Sequence, residues 1–223
     1  MSDLTAVDIL MLPDETMLER AGALNAQMRT SAPDGFALDA RHRPHITLLQ
    51  RYVRTSELDR AFDAVASVIG AADQDSLQLH GVKVAHMKVD AYPGVGLAGL
   101  VVQPSQGVLD LQRSLIAAVE PFVAQGGRAD AYVMTEEEPE INEPTIEYVE
   151  RYVPDHSGEN YIAHVTVGLA RLDFLADLES RPFDAFAFHP AAFAVFQLGN
   201  NGTAQRELRK WDLAAGSGPR RDG

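Results

Sequence analysis

Two short motifs of the same form stand out in this sequence. One reads His45-Ile-Thr-Leu and the other reads His164-Val-Thr-Val, and they lie in the two halves of the chain. Imidazole exchanges protons near neutral pH, and a threonine hydroxyl donates a hydrogen bond to an anion. Two such pairs facing one another would supply an acid, a base and two anion-binding hydroxyls, which are the groups that phosphodiester cleavage requires.

Each motif lies in an apolar run that is typical of a β-strand. Because side chains alternate between the two faces of a strand, His45 and Thr47 are predicted to share one face, and so are His164 and Thr166. The apolar members of both motifs then point to the other face, into a core. A single motif of this kind is usually structural, but two copies in matching contexts favour a shared site. We therefore predict catalytic histidines and phosphate-binding threonines.

Arg51 is the candidate for an additional phosphate-binding cation. It lies at even spacing from His45 within the same apolar run, so a regular strand would direct both side chains to one face. The alternative is an exposed arginine near the end of a strand, and the residues alone leave both interpretations open.

The periodicity of apolar residues predicts strands and helices interspersed along the chain. Several strands are neighbours in sequence and can pair as hairpins, which favours an α+β fold over a doubly wound parallel sheet. The predicted strands are 5–13, 45–53, 77–87, 95–102, 161–168, 192–198 and 206–213, and the predicted helices run from about 14 to 28, 55 to 69, 106 to 123 and 172 to 178.

The periodicity is lost between about residues 135 and 159. Glutamate is frequent and basic residues are absent from Glu136 to Glu150, and Pro139 and Pro144 interrupt the segment. This pattern predicts an exposed acidic loop. Residues 214–223 are predicted to form a flexible tail, which leaves a single domain over residues 1–213.

Composition excludes several classes of function. The formal net charge is −13, with 19 basic and 32 acidic residues, so the chain lacks the surplus of cations that long nucleic-acid binders use. The chain has no cysteine, which excludes disulfides and thiolate chemistry. No apolar stretch is long enough to span a bilayer, and the first residues do not read as a signal peptide, so a cytoplasmic location without membrane association is expected. A monomer is also expected.

The two motifs resemble those of the 2H phosphoesterase superfamily, and within it those of bacterial 2′-5′ RNA ligases and RNA 2′,3′-cyclic phosphodiesterases. That family is defined by two His-φ-Thr/Ser-φ motifs, where φ is apolar, and both copies here match. The similarity in element order extends from about Thr5 to Leu213. It implies an α+β fold of two pseudo-symmetric lobes, each with an antiparallel sheet and one motif, around a central cleft.

The resemblance also implies a function. The expected activity is hydrolysis of 2′,3′-cyclic phosphate RNA ends or small cyclic nucleotides, without a metal or another cofactor. The resemblance favours His45 as the acid and His164 as the base, although the residues alone leave this assignment open. The alternatives are 2′-5′ RNA ligation, cleavage of ADP-ribose 1″,2″-cyclic phosphate, and a non-catalytic protein that binds a phosphate or nucleotide.

Overall fold

The computed structural model describes residues 2–89 and 93–213. The predicted flexible tail at 214–223 lies outside the described residues. The helices are α1 (Glu15–Ser31), α2 (Leu58–Ala71), α3 (Gln106–Val119), α4 (Glu143–His156) and α5 (Leu172–Ser180). The strands are β1 (Leu4–Pro13), β2 (Ile46–Arg54), β3 (Leu79–Lys88), β4 (Val95–Pro104), β5 (His164–Arg171), β6 (Phe186–Phe188), β7 (Pro190–Leu198) and β8 (Ala204–Asp212).

The strands form two four-stranded antiparallel sheets. The strand order is β2-β1-β7-β8 in the first sheet and β5-β4-β3-β6 in the second. The two sheets are built alike, because in each one an edge strand that carries a motif pairs with a long inner strand. The α+β fold class predicted from the sequence is confirmed.

The first strand and helix show how local sequence sets these elements. β1 is an almost continuous apolar run, and it is buried over most of its length between its two neighbouring strands. Asp14 then begins α1, since its side chain accepts a hydrogen bond from the backbone N–H of Met17. The other carboxylate oxygen of Asp14 accepts from the backbone N–H of His189, which ties the start of α1 to the entry of β7.

The largest hydrophobic core includes side chains from both sheets and from all five helices. It contains the four apolar residues of the motifs, Ile46, Leu48, Val165 and Val167, all fully buried as the alternation of side chains predicts. No helix within the described residues combines the length and the apolar character that crossing a bilayer requires.

The prediction of an exposed acidic loop over 135–159 is wrong for most of that segment. Residues Glu143–His156 form the helix α4. Asn142 caps its N-terminus, because its side chain accepts a hydrogen bond from the backbone N–H of Thr145. Val149 and Tyr152 are buried, while the glutamates occupy the outer face. The charged residues obscured this apolar stripe, and Pro144 is compatible with a helix because it lies in the first turn, where its missing N–H costs nothing.

The packing of α4 gives a test of this correction. Val149→Ala removes two methyl groups from a fully buried position, so we expect the free energy of unfolding to fall by about 2 kcal/mol. Chemical denaturation measures the change. The matched control is Glu147→Ala in the same helix, on its exposed face, which is expected to change stability by less than about 0.5 kcal/mol. Equal and small effects of the two substitutions would show that α4 does not pack on the core.

Candidate active site

Each motif ends in a β-bulge at the residue that follows its threonine. In the first sheet Thr47 pairs with Leu10 and Leu49 pairs with Ile9, so Leu48 is the extra residue. In the second sheet Thr166 pairs with Gly99 and Gly168 pairs with Ala98, which leaves Val167 as the extra residue. A bulged residue has no partner in the ladder, and the strand turns at that point. The two motifs therefore share a backbone irregularity as well as a sequence.

The carbonyl oxygens at both bulges accept hydrogen bonds from buried amide side chains. Nε2 of Gln112 in α3 donates to the carbonyl of Leu48 at 3.0 Å, and Nδ2 of Asn25 in α1 donates to the carbonyl of Val167 at 2.8 Å. Gly168 permits the second contact, because a Cβ added there would lie 3.0 Å from Nδ2 of Asn25. Both bulges are thus held in place by a helix that packs behind the motif strand.

The two amides also bind the segments around the site. Oε1 of Gln112 accepts from the backbone N–H of Gly158, which lies just before the second motif. Oδ1 of Asn25 accepts from the backbone N–H of Leu38, in the segment that leads to the first motif. Each amide therefore fixes one motif strand and the approach to the other motif.

The two histidine rings are held in the same way. Nδ1 of His45 lies 2.7 Å from the carbonyl oxygen of Arg43, and Nδ1 of His164 lies 2.9 Å from the carbonyl oxygen of Ile162. A carbonyl oxygen only accepts, so each Nδ1 carries a hydrogen and donates it. Nε2 is therefore the nitrogen of each ring that is available for proton transfer.

Asp8 of β1 lies beneath the first motif and was missed by sequence reasoning. Its carboxyl group is fully buried, and Oδ2 accepts from the hydroxyl of Thr47 at 2.9 Å and from Nε2 of Gln50 at 3.1 Å. Nε2 of His45 lies 3.8 Å from the same oxygen. Burial raises the pKa of Asp8, while the charges of His45 and His164 and the two hydrogen bonds oppose that rise.

Interactions around Asp8 and Thr47 connect the two motifs. The charge of His45, and to a smaller extent that of His164, lowers the pKa of this buried carboxyl group. The hydroxyl of Tyr161, just before the second motif, donates to the carbonyl of Thr47 at 2.9 Å and joins the motifs directly. The group formed by Asp8, His45, Thr47, His164 and Thr166 is called the motif site below.

The motif site is open to solvent where chemistry would occur. The side chain of His45 is 19% exposed, His164 is exposed, and both threonines are half-buried. Among residues 2–89 and 93–213, no three histidine or carboxylate side chains are arranged to hold a metal ion.

The charge of Asp8 also acts on three tyrosines, which are Tyr148 and Tyr152 of α4 and Tyr161 just before β5. Burial, followed by the charge of Asp8, raises the pKa of Tyr148 to about 12 and also raises the pKa of Tyr161. The pKa of Tyr152 is raised well above its usual value by burial and by Tyr161 and Asp8. All three phenols are therefore neutral at physiological pH. Tyr148 remains 39% exposed and stacks on His156 with ring centroids 4.3 Å apart, so α4 presents an aromatic face near the motif site.

The prediction that Arg51 shares a face with His45 and Thr47 is wrong. The bulge at Leu48 adds one residue to β2 and reverses the alternation beyond it, so Gln50 lies on the face of Thr47 and Arg51 lies on the opposite face. The guanidinium of Arg51 donates to the carboxylate of Glu120 at 3.3 Å instead. Nothing in the sequence of β2 marks the bulge.

The chain is similar in fold to several proteins of known structure. No family model and no curated protein matches the sequence. The protein TT0787 of Thermus thermophilus aligns with a TM-score of 0.53 at 16% identity, over 94% of this chain and 98% of that chain. The bilobal fold expected from the resemblance is confirmed.

Weaker matches also extend over almost the whole chain. The apo form of LigT from E. coli has a TM-score of 0.47 at 15% identity, over 96% of this chain and 100% of that chain. Usb1 of Kluyveromyces marxianus has a TM-score of 0.46 at 13% identity, over 95% of this chain and 99% of that chain. Likenesses at such identities leave the activity to the residues of the site.

The bulge contact of Gln112 gives the second test. Gln112→Leu keeps the size of the side chain but leaves the carbonyl of Leu48 and the N–H of Gly158 without their partner. We expect the free energy of unfolding to fall by about 3 kcal/mol, because a buried group that loses its hydrogen bond costs about 1–3 kcal/mol. The control is Gln27→Leu on the exposed side of α1, expected within about 0.5 kcal/mol of the parent in the same denaturation experiment. A similar value for both variants would mean that the buried amide does not support the bulge.

Proposed function

We propose that the chain is a 2H phosphoesterase whose motif site hydrolyses cyclic phosphodiesters, with 2′,3′-cyclic phosphate RNA ends or small cyclic nucleotides as substrates. The observation that carries the proposal is the matched state of the two rings. Both hold the Nδ1 hydrogen in a backbone hydrogen bond, so both offer Nε2, and the charges of both act on the buried carboxyl group of Asp8. Two equivalent proton-transfer groups in one place suit a reaction that needs an acid and a base.

The reaction proceeds by in-line displacement at phosphorus. Nε2 of His164 removes a proton from a water molecule as its oxygen attacks the phosphorus. The bond between phosphorus and one ribose oxygen breaks, and Nε2 of His45 gives its proton to that oxygen. The product is a phosphomonoester, and the protons return to their starting distribution by exchange with solvent. This assignment of acid and base follows the resemblance.

The threonines stabilise the charge that develops on the phosphate. In a strand, the hydroxyl two residues beyond the histidine lies on the same face, so Thr47 lies beside His45 and Thr166 lies beside His164. A hydroxyl hydrogen bond to a non-bridging oxygen is strongest in the transition state, where negative charge accumulates. Proton transfer by imidazole and charge stabilisation by hydroxyls together account for the reaction without a metal.

Small substrates suit the rest of the molecule. A net charge of −13 opposes the binding of a long polyanion, whereas a single phosphate needs only the local donors of the motif site. The partly exposed ring of Tyr148 lies near that site and offers a surface on which a base can stack.

Turnover by histidine variants tests the proposal. The purified protein is incubated with 2′,3′-cyclic nucleotides, and separately with a short RNA ending in a cyclic phosphate, both in the presence of EDTA. We expect hydrolysis by the parent, and a fall in kcat/KM of about 10²- to 10⁴-fold in His45→Ala and in His164→Ala, since each removes one proton-transfer group. The exposed His80 supplies the matched control, and His80→Ala is expected to retain the parent rate.

Three results would contradict this proposal. Activity that EDTA abolishes would contradict the metal-independent scheme. Equal rates in the parent and in His45→Ala or His164→Ala would remove the two-histidine mechanism. Absence of turnover of both substrate types would leave the motif site as a receptor for a phosphate or nucleotide.

Arg51 provides a separate prediction. Because its side chain lies on the face of β2 opposite to Thr47 and pairs with Glu120, Arg51→Gln is expected to leave kcat/KM for the cyclic nucleotide unchanged. A steady-state assay beside the parent measures this. A loss as large as that of the histidine variants would mean that the guanidinium reaches the phosphate during turnover.

A further inference from the structure

A buried carboxyl group beneath an anion-binding site needs an explanation. Asp8 is fully buried, and its Oδ1 has no hydrogen-bond partner in the described part of the chain. The neighbouring side chain of Gln50 donates to Oδ2 of Asp8, but its own Oε1 also has no partner among the described residues. Burying a charged group with unmet hydrogen bonds is costly, and placing a phosphate nearby increases the cost by repulsion. Catalysis as proposed above assigns no role to this carboxyl group.

The hydroxyl of Thr47 links Asp8 to the anion. A hydroxyl has a single hydrogen, and with an ionised Asp8 that hydrogen is donated to Oδ2 across 2.9 Å. Thr47 then presents only lone pairs to an incoming phosphate. If Asp8 carries a proton, the direction reverses: Asp8 donates to Oγ1 of Thr47, and the hydrogen of Thr47 is free to bind the anion. The state of Asp8 therefore sets whether Thr47 is a donor.

We propose that Asp8 is a neutral carboxylic acid whenever an anion occupies the motif site, and that it acts by orienting the hydroxyl of Thr47 towards that anion. Asp8 is thus a positioning residue for the phosphate. The proposal rests on the proposed function, because it takes the phosphate to lie beside Thr47. The proton comes from solvent, and it returns to solvent when the anion leaves.

The surroundings of Asp8 agree with this role. β2 contributes Gln50 and Thr47, and the opposite neighbour β7 contributes the apolar side chain of Phe196. The nearby titratable groups are His45, His164 and the phenols of Tyr148, Tyr152 and Tyr161. The only groups among these that become cations are the two imidazoles. An anion bound between them offsets their charges, which removes the interaction that favours the ionised form of Asp8.

The variant Asp8→Asn mimics the proton-bound form. The introduced amide carries no charge, and its N–H donates to the hydroxyl of Thr47 at every pH. The side-chain amide of Gln50 flips, so that its Oε1 accepts a hydrogen bond from the introduced amide. Inorganic sulfate is a suitable probe, because its own charge does not change across the range measured. The variant is expected to bind sulfate at least as tightly as the parent. Above the pH at which Asp8 of the sulfate-free parent loses its proton, the sulfate affinity of the parent should fall with pH. For each further pH unit this fall should be about tenfold larger than in the variant.

Infrared spectroscopy reads the proton directly. In the sulfate-bound parent we expect the carbonyl band of a protonated carboxyl group that shifts when aspartate carboxyl groups carry ¹³C. The same band should be absent from sulfate-bound Asp8→Asn. Because the isotope shift assigns the band to an aspartate in the parent itself, the measurement does not depend on correct folding of the variant. An Asp8 that stays ionised in the sulfate-bound protein would produce no such band, and a band of equal strength without sulfate would show that the proton does not depend on the anion.

Glu137→Gln is the matched control. It also removes one negative charge, but from an exposed side chain that pairs with Arg41, so the pH dependence of sulfate affinity should follow that of the parent. The proposal is overturned if the labelled, sulfate-bound parent shows no protonated carboxyl band, or if Asp8→Asn binds sulfate more weakly than the parent across the whole pH range. Failure of the proposed function is a different result, since it appears as absent hydrolysis by the parent, whereas these readouts need no turnover.

Discussion

Two hydrogen bonds from buried amides to bulge carbonyls hold the motif site together. The bulges at Leu48 and Val167 would leave two carbonyl oxygens without partners inside the core, and each such loss costs about 1–3 kcal/mol. Gln112 and Asn25 meet this demand. α1 follows β1 of the first sheet, but its Asn25 binds the motif strand β5 of the second sheet. α3 follows β4 of the second sheet, but its Gln112 binds the motif strand β2 of the first sheet. The contact that satisfies each bulge therefore also joins the two halves of the chain around the motifs.

The same arrangement separates the structural and chemical tasks of each motif. The apolar residues fill the core, the Nδ1 hydrogen of each histidine is used by a backbone carbonyl, and the second nitrogen remains free. Fixing the ring through one nitrogen is the general means by which proteins set the role of the other. The orientation of both rings consequently depends on the local backbone, which the bulges and their amide partners hold.

The sequence predicted those features that repeat or follow a regular period. The two motifs, the α+β class and most strands and helices could be read from apolar periodicity, because burial of one face imposes that pattern. The pairing of His45 with Thr47 also followed, since no irregularity separates them. The placement of Arg51 failed for a specific reason: the bulge at Leu48 lies between Arg51 and the motif and reverses the alternation.

Other features depended on contacts between distant parts of the chain. Gln112 lies on the buried face of α3 among leucines and valines, and Asp8 interrupts an apolar strand, so both were visible as polar residues in core positions. Their partners were not visible, because Leu48 and Thr47 are far from them in sequence and meet them only in the folded sheet. α4 was missed because its glutamates dominate the composition while its buried stripe is short.

The two-histidine mechanism requires both rings to act on a single phosphate. A crystal structure of the protein with a nucleoside and vanadate, which imitates the pentacoordinate transition state, tests it most directly. We expect vanadate between the rings, with Nε2 of His45 and Nε2 of His164 each within about 2.6–3.2 Å of opposite apical oxygens. Vanadate bound at one ring alone, or bound away from both motifs, would contradict it.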